Sequence, residues 1–125
     1  MMTTLIQVAF GGAIGASLRY LTNIGAMRWF GPGFPYGTMI VNVTGSFVMG
    51  VLVVVFAQKG GMRYAPFALT GALGGFTTFS AFSLDSLTLF ERGQTGLALA
   101  YIVGSVGLSL GGIAAGVMVT RGIFA

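Results

Sequence analysis

The feature that most constrains the fold is an uncharged run from Tyr64 to Leu84, interrupted near its middle by the segment 74–80 (GGFTTFS). The run is long enough for a bilayer-spanning helix, yet two glycines followed by hydroxyl residues are poor helix formers. Because the hydrocarbon core holds no water, backbone groups released there need protein, an ion or a hydrated cavity as partners. Such breaks carry the ion sites of many transporters, so we expect the function at this segment.

Composition assigns the chain to the integral membrane proteins. Of its 125 residues, 55% are hydrophobic and only 6% are charged, whereas a soluble domain carries about a quarter charged residues. The absence of Cys and His excludes disulfides, thiolate chemistry and Cys/His metal sites. Asp85 and Glu91 are the only acids, so no nucleophile–base pair can be assembled and we predict that the protein is not an enzyme.

The net charge of +4 does not indicate a nucleic-acid partner. The six Lys and Arg residues are scattered singly along the chain, whereas a nucleic-acid surface needs them clustered on one face. Scattered basic residues at the ends of apolar segments are typical of anchors at the membrane surface. We therefore predict a lipid bilayer, and no nucleic acid, as the surroundings of this chain.

Four segments are long and apolar enough to cross a bilayer, at about 4–24, 36–56, 63–90 and 95–120. The first has no positive residue before its apolar stretch, so we predict that it is retained as a helix and not removed as a signal peptide. Short connections leave no room for a soluble domain. The sequence thus predicts one all-α transmembrane domain over residues 1–125, with four helices of which the third is broken.

Glycine spacing predicts tight helix packing and an oligomer. Four pairs stand four residues apart: Gly11 and Gly15, Gly71 and Gly75, Gly107 and Gly111, Gly112 and Gly116. Small residues at this spacing let helix backbones approach closely in lipid. Because four helices of this size enclose little by themselves, we expect a twofold dimer as the working unit.

The distribution of basic residues predicts how the two copies are oriented. An even number of helices places both termini on one face of the membrane. That face then holds Lys59, Arg63 and Arg121, and the other holds Arg19, Arg28 and Arg92. Orientation follows an excess of Lys and Arg on one side, so a chain without an excess inserts both ways. We therefore predict an antiparallel, dual-topology homodimer.

Polar side chains recur at helical spacing in two of the predicted helices. Thr38, Asn42 and Ser46 share one stripe of the second, and Tyr101, Ser105 and Ser109 share one face of the fourth. An amide in hydrocarbon needs a partner, so Asn42 either bonds a neighbouring helix or donates to a permeating anion. A serine can bond back to its own helix, but three polar groups in register favour a lined pathway.

Two further features permit several interpretations. Phe79 and Phe82 share a face just after the break; they either pack in the core or present their positive ring edges to an anion. Arg19, close to the end of the first predicted helix, either snorkels to the interface, attracts anions into a vestibule or pairs with Asp85. An interfacial or structural role is favoured for Arg19.

Three motifs, in this order, resemble those of the Fluc/CrcB fluoride channels. They are residues 11–20 (GGAIGASLRY), 37–47 (GTMIVNVTGSF) and 74–82 (GGFTTFSAF). The resemblance implies an antiparallel homodimer with two fluoride pores in the bacterial inner membrane, which lets cytoplasmic fluoride leave the cell. One departure is Ala81, since family members often have a hydroxyl residue at this position.

The resemblance also implies the site residues. A structural sodium ion at the dimer centre would be held by the backbone carbonyls of Gly74 and Thr77 of each chain. The pore would be lined by Asn42, Phe79, Phe82 and Tyr101, with Thr38, Ser80, Ser83, Ser105 and Ser109 as a polar track and Arg19 at the vestibule.

Two other functions are compatible with the sequence. A small dual-topology exporter of cationic drugs has a similar size and charge balance, but it needs a carboxylate near the middle of a membrane helix, and we expect Asp85 to lie toward a helix end. An accessory packing subunit of a larger complex would not need the polar faces or the break. A passive fluoride channel accounts for all of these features.

Overall fold

The computed structural model describes residues 1–125 as an all-helical chain without strands. The helices are α1 (Met2–Phe30), α2 (Tyr36–Lys59), α3, α4 (Phe79–Glu91) and α5 (Thr95–Phe124). A 3-10 turn at Met62–Tyr64 precedes α3, which consists of a wide, π-helical stretch, Pro66–Leu73, and one α-helical turn, Gly74–Phe76. The all-α prediction is confirmed.

Three stretches of the chain are long and apolar enough to cross a membrane: Tyr36–Lys59, Met62–Glu91 and Thr95–Phe124. The chain is therefore a multi-pass membrane protein. The helix α1 has 29 residues, which is long enough to span, but it is not among these three. It extends beyond the predicted range of 4–24, because a helix continues through polar residues such as Arg28 that end an apolar run.

Turns end the helices where the sequence provides the residues for them. The helix α2 stops because Gly60 and Gly61 take positive φ values of 88° and 96°, a conformation that residues with a Cβ rarely adopt. The helix α1 stops two residues before Pro32, which has no N–H to continue a helix. The connections are as short as predicted.

Glycines bring α1 and α3 into backbone contact. A Cβ at Gly71 would lie 2.9 Å from the Cα of Gly11, and one at Gly75 would lie 2.7 Å from the carbonyl oxygen of Gly12. A Cβ at Gly15 would collide with the carbonyl oxygen of Ala72. The close approach predicted from these two glycine pairs is confirmed.

The helices α2 and α5 pack side by side with their final residues at the same end of the molecule. There the Nζ of Lys59 lies 4.9 Å from the centre of the Phe124 ring. Gly112 and Gly116 of α5 face the backbone of α2 near Val43 and Phe47, whereas Gly107 and Gly111 have open space around them. Gly112 and Gly116 thus pack within the chain, whereas Gly107 and Gly111 do not.

The core is small and most apolar side chains face outward. Only 18 of the 125 residues are buried, and one cluster, formed by Phe82, Leu89, Ala98 and Tyr101, joins α4 to α5. Large side chains such as Val103 and Met118 are about 70% exposed. This distribution suits a chain whose outer surface contacts lipid or other apolar helices and not water.

Candidate functional site

The helices α3 and α4 are separated by an unwound step at Thr77 and Thr78. Both residues have extended backbone, with φ and ψ of −83° and 156° at Thr77 and −152° and 119° at Thr78. Thr78 caps α4, since its Oγ1 accepts a 3.1 Å hydrogen bond from the N–H of Ala81. The predicted break in the third membrane segment is confirmed, and it lies just after the Gly74–Phe76 turn.

The break leaves several carbonyl groups without their helical donors, and two of them belong to the predicted sodium site. In a continuous helix the carbonyl of Gly74 would accept from the N–H of Thr78, but this N–H donates to Oδ1 of Asn42 at 2.7 Å. The carbonyl of Thr77 would accept from the N–H of Ala81, which instead donates to the Thr78 hydroxyl. These are the two carbonyls that the resemblance assigns to sodium, and both are left without these donors.

Asn42 holds the unwound step by two hydrogen bonds to one residue. Its Oδ1 accepts from the N–H of Thr78, and its Nδ2 donates to the carbonyl of Thr78 at 3.0 Å. Of the two interpretations of this amide, bonding to a neighbouring helix is the one that the structure shows. The amide has a second N–H, and Asn42 also lines the groove described below.

Arg19 lies deeper than expected and has a main-chain partner. Because α1 continues to Phe30, the residue lies about 16 Å before the helix end at 1.5 Å per residue. Its Nε donates to the carbonyl of Gly75 at 3.0 Å. It does not pair with Asp85, which accepts a hydrogen bond from Tyr101. It also lines neither of the two cavities that are described below. Of the interpretations given for Arg19, the observed contacts favour a structural role.

A cavity of about 350 Å³ lies beside the break, between α2, α4 and α5; we call it the groove. It brings together five of the predicted pore residues with the unwound step, namely Asn42, Phe79, Phe82, Ser105 and Ser109 with Thr77 and Thr78. The groove is open on the side of Phe79, which is 76% exposed. Residues from three separate segments of the sequence thus share one surface.

Ser105 is the distinctive polar group of the groove. It is only 4% exposed, and its Oγ has no hydrogen-bond partner. Other hydroxyls bond back to their own helix, as Ser86 does to the carbonyl of Phe82 at 2.8 Å. A buried hydroxyl without a partner is costly, so Ser105 is the group in this wall of the groove that most needs a hydrogen-bond acceptor.

Two predicted polar-track residues line neither the groove nor the end cavity described next. Ser83 donates to the carbonyl of Phe79 at 3.0 Å, and the hydroxyl of Ser80 bonds that of Thr78 at 3.1 Å. Neither side chain lines the cavity. The family resemblance assigned both to the polar track, but α4 turns them to its exposed side.

A second cavity, of about 310 Å³, opens where α1 and α4 end and α2 begins; we call it the end cavity. Thr38, Asp85 and Arg92 supply polar groups to it, beside the loop of residues 31–35. Tyr101 is fully buried between the two cavities. Its hydroxyl donates to Oδ2 of Asp85 at 3.1 Å, and its ring lies 5.3 Å from that of Phe82 in the groove.

No cluster of His, Cys, Asp or Glu side chains in the chain could hold a metal ion. Main-chain oxygen is the remaining type of ligand, and hard cations such as sodium accept it readily. The carbonyls of Gly74 and Thr77, which lack their helical donors, fit this requirement. Unwound carbonyls of broken membrane helices commonly coordinate sodium.

Comparison with known proteins identifies the family. The family model described as CrcB-like protein, Camphor Resistance (CrcB), matches residues 6–117. The chain belongs to the CrcB family. A curated CrcB relative from Cereibacter sphaeroides, named fluoride-specific ion channel FluC, is 70% identical over 122 residues, which cover 98% of both chains. The resemblance seen in the three sequence motifs is confirmed.

Two further CrcB relatives carry the same name, fluoride-specific ion channel FluC. That of Paracoccus denitrificans is 55% identical over 125 residues, the full length of both chains. That of Agrobacterium fabrum is 46% identical over 125 residues, covering 98% of this chain and all of the relative. These relatives are named as ion channels and not as enzymes.

Sequence reasoning missed two contacts in this CrcB chain. Asp85 follows Phe82 by three residues, so the two share a helix face; this spacing could have placed Asp85 near the pathway and the Tyr101 hydroxyl. Phe34 lies in the loop before α2, and its ring packs edge-on against Tyr101 with 5.5 Å between ring centres. Nothing in the sequence around Phe34 indicates that contact.

Proposed function

We propose that this protein is a fluoride-selective channel that lets cytoplasmic fluoride leave the cell. The observation that carries the proposal is the groove beside the break, which Asn42, Phe79 and Ser105 line and whose wall holds the buried Ser105 hydroxyl. The names of the CrcB relatives support the same substrate. We propose a channel and not an enzyme, because the groove presents donors and rings but no nucleophile–base pair.

Fluoride is small and holds its water tightly, so a pore must replace that water with other donors. In the groove the hydroxyls of Ser105 and Ser109 and the second N–H of Asn42 can do so. The rings of Phe79 and Phe82, 5.4 Å apart, add the weaker positive potential of their edges. A narrow bore with closely placed donors favours fluoride over the larger chloride.

The end cavity would connect this groove to water. Thr38 lines the end cavity, and Tyr101 contacts one residue of each cavity, so an ion moving between the cavities would pass these side chains. We keep Ser80 and Ser83 as outer members of the polar track on the exposed side of α4. Arg19 supports the break and is not assigned to the vestibule, because it is bonded to Gly75.

We further propose a structural sodium ion at the centre of a dimer, held by the carbonyls of Gly74 and Thr77 of both chains. When bound, it would supply positive potential near both pores and fix the two breaks against each other. The support is the loss of both carbonyls' helical donors, to Asn42 and to the Thr78 hydroxyl.

The proposed assembly is an antiparallel homodimer of four-helix chains in the bacterial inner membrane, each chain forming one domain over residues 1–125. In this assembly α1 is the fourth spanning helix. The open side of the groove needs a wall, because lipid cannot satisfy its polar groups. A second copy of the chain would provide that wall and bury the exposed ring of Phe79.

Anion efflux from liposomes that contain the purified protein tests this function. We expect rapid release of fluoride without release of chloride, and protein-free liposomes loaded in the same way give the background rate. Release of neither anion, or of both equally, would overturn the proposal. Replacing internal sodium and external sodium by potassium in the same assay tests the proposed cation.

One observation favours the exporter of cationic drugs as a second candidate. Asp85 is a carboxylate on the wall of a cavity within the helix bundle, where such an exporter would exchange protons for its substrate. Proton-driven uptake of a cationic dye that is lost in Asp85→Asn, together with no fluoride release, would establish the exporter. Fluoride release without dye uptake rules it out.

A further inference from the structure

We infer that Arg19 is a positioning residue that determines which carbonyl oxygens of the helix break are free to bind a cation. The inference rests on the sodium site proposed above, and it assigns a positioning role to side chains that surround that site. Arg19 lies in α1, outside the broken helix pair, and its Nε donates to the carbonyl of Gly75 at 3.0 Å. Asn42 of α2 performs the matching task at Thr78.

The carbonyls at the break fall into two groups. Those of Leu73, Gly75 and Thr78 accept hydrogen bonds from the protein: Leu73 from the N–H and the hydroxyl of Thr77 at 3.0 and 2.9 Å, Gly75 from Arg19, and Thr78 from Asn42. Those of Gly74, Phe76 and Thr77 accept none. Neighbouring carbonyl oxygens thus differ, since some accept hydrogen bonds from the protein and others are free. Two of the three bonded carbonyls depend on side chains from other helices.

The surroundings of Gly75 explain why a side chain is needed there. A Cβ at Gly75 would lie 2.7 Å from the carbonyl oxygen of Gly12 and 3.2 Å from the backbone nitrogen of Ala16. The backbones of α1 and α3 touch at this point, so water has little access. Arg19 follows Ala16 by three residues on the same face of α1, and its side chain reaches the carbonyl of Gly75.

Without this donor the Gly75 carbonyl has two alternatives, and both alter the cation site. It stays unsatisfied, which destabilises the unwound step, or the peptide rotates and presents this oxygen beside that of Gly74. The hydrogen bond from a charged guanidinium is stronger than one from a neutral donor. It therefore holds the peptide in the orientation that leaves the Gly74 oxygen free.

A matched pair of substitutions separates the hydrogen bond from the charge. Gln places its side-chain nitrogen at the same position along the chain as the Nε of Arg, whereas Met has nearly the same length and no donor. Sodium binding should raise the thermal unfolding temperature of the dimer. We expect the sodium concentration that gives half of this rise to be about tenfold or more higher in Arg19→Met than in the wild type. In Arg19→Gln it should increase less than threefold.

Arg28→Met is the control, because Arg28 is exposed near the end of the same helix and should leave the sodium response unchanged. An Arg19→Met response equal to that of the wild type overturns the inference. Equal losses in Arg19→Gln and Arg19→Met also overturn it, since the charge and not the hydrogen bond would then be responsible.

A second measurement on the wild-type chain covers the case in which Arg19→Met does not fold. With ¹³C at a single carbonyl, exchange of sodium for potassium should shift the carbonyl NMR signal of Gly74 and leave that of Gly75 in place. A shift at both carbonyls overturns the inference. A wild type that conducts fluoride without any sodium response overturns this inference and the sodium site, while the channel function stands.

Discussion

Two serines show how the same residue type serves different purposes in a membrane helix. The hydroxyl of Ser86 bonds the carbonyl of Phe82 in its own helix, so its bonding capacity is met locally. The hydroxyl of Ser105 is buried and has no partner, so its bonding capacity is not met within its own helix. The sequence shows only that both are serines in apolar surroundings, and the difference lies in which face each helix presents to the groove.

The first prediction concerns this pair. Ser105→Ala should slow fluoride efflux about tenfold, because it removes one donor worth roughly 1–1.5 kcal/mol to the permeating anion. Ser86→Ala removes a hydroxyl of the same size outside the groove and should conduct at the wild-type rate. The measurement is fluoride release from liposomes with equal amounts of folded protein. Equal rates for the two variants would mean that Ser105 is not part of the pathway.

The second prediction concerns the rings. Phe79→Ile and Phe82→Ile keep an apolar side chain but remove the aromatic edge, so each should slow fluoride efflux by at least tenfold, about 1.4 kcal/mol or more in barrier height. Phe90→Ile, on the exposed surface of α4, is the matched control. The elution volume of the purified dimer should not change in any of the three. Normal efflux in both groove variants would show that the rings only pack.

The sequence predicted the positions of the helices better than the contacts between them. Apolar runs located the three stretches that are long and apolar enough to cross a membrane, and the Gly and Thr residues of 74–80 located the break, because both depend on local chemistry. The wide π-helical turns of Pro66–Leu73 were not predicted, since they depend on how α3 fits against α1. The bond from Arg19 to Gly75 spans 56 residues of sequence and depends on the same fit.

The third prediction tests that fit. Gly15→Ala places a methyl group against the carbonyl of Ala72, so α1 and α3 must separate; we expect a loss of about 1–3 kcal/mol in stability. Gly25→Ala, where nothing lies within 4 Å, should be tolerated. Thermal unfolding in detergent measures both. A Gly15→Ala protein as stable as Gly25→Ala would contradict the close contact of the two backbones.

For the whole molecule, the sequence pointed to features that a single chain does not display. The prediction from the evenly divided basic residues concerns two chains, and Gly107 and Gly111 have open space beside them in the single chain. Within one chain, the ends of α2 and α5 meet, as the contact of Lys59 with Phe124 shows. The groove has one open side, and this incompleteness is the structural reason for proposing a second copy.

The fourth prediction addresses orientation. Since the chain has no Cys, Ala125→Cys creates a unique thiol at the C-terminus. A membrane-impermeant maleimide added to intact cells should label about half of the molecules, because the basic residues give no preferred orientation. Adding the reagent after permeabilisation should label the rest. Labelling of nearly all or nearly none in intact cells would exclude dual topology.

The long reach of Arg19 also has a consequence for biogenesis. The ribosome delivers α1 to the membrane before Gly75, its acceptor 56 residues later, has been synthesised. In the proposed four-helix assembly α1 spans the membrane, and a lone guanidinium in hydrocarbon is unfavourable. We therefore expect α1 to remain with Arg19 near the aqueous side during this interval, and to take its final position only when α3 packs against it. The first helix to be synthesised would then be among the last to reach its final position.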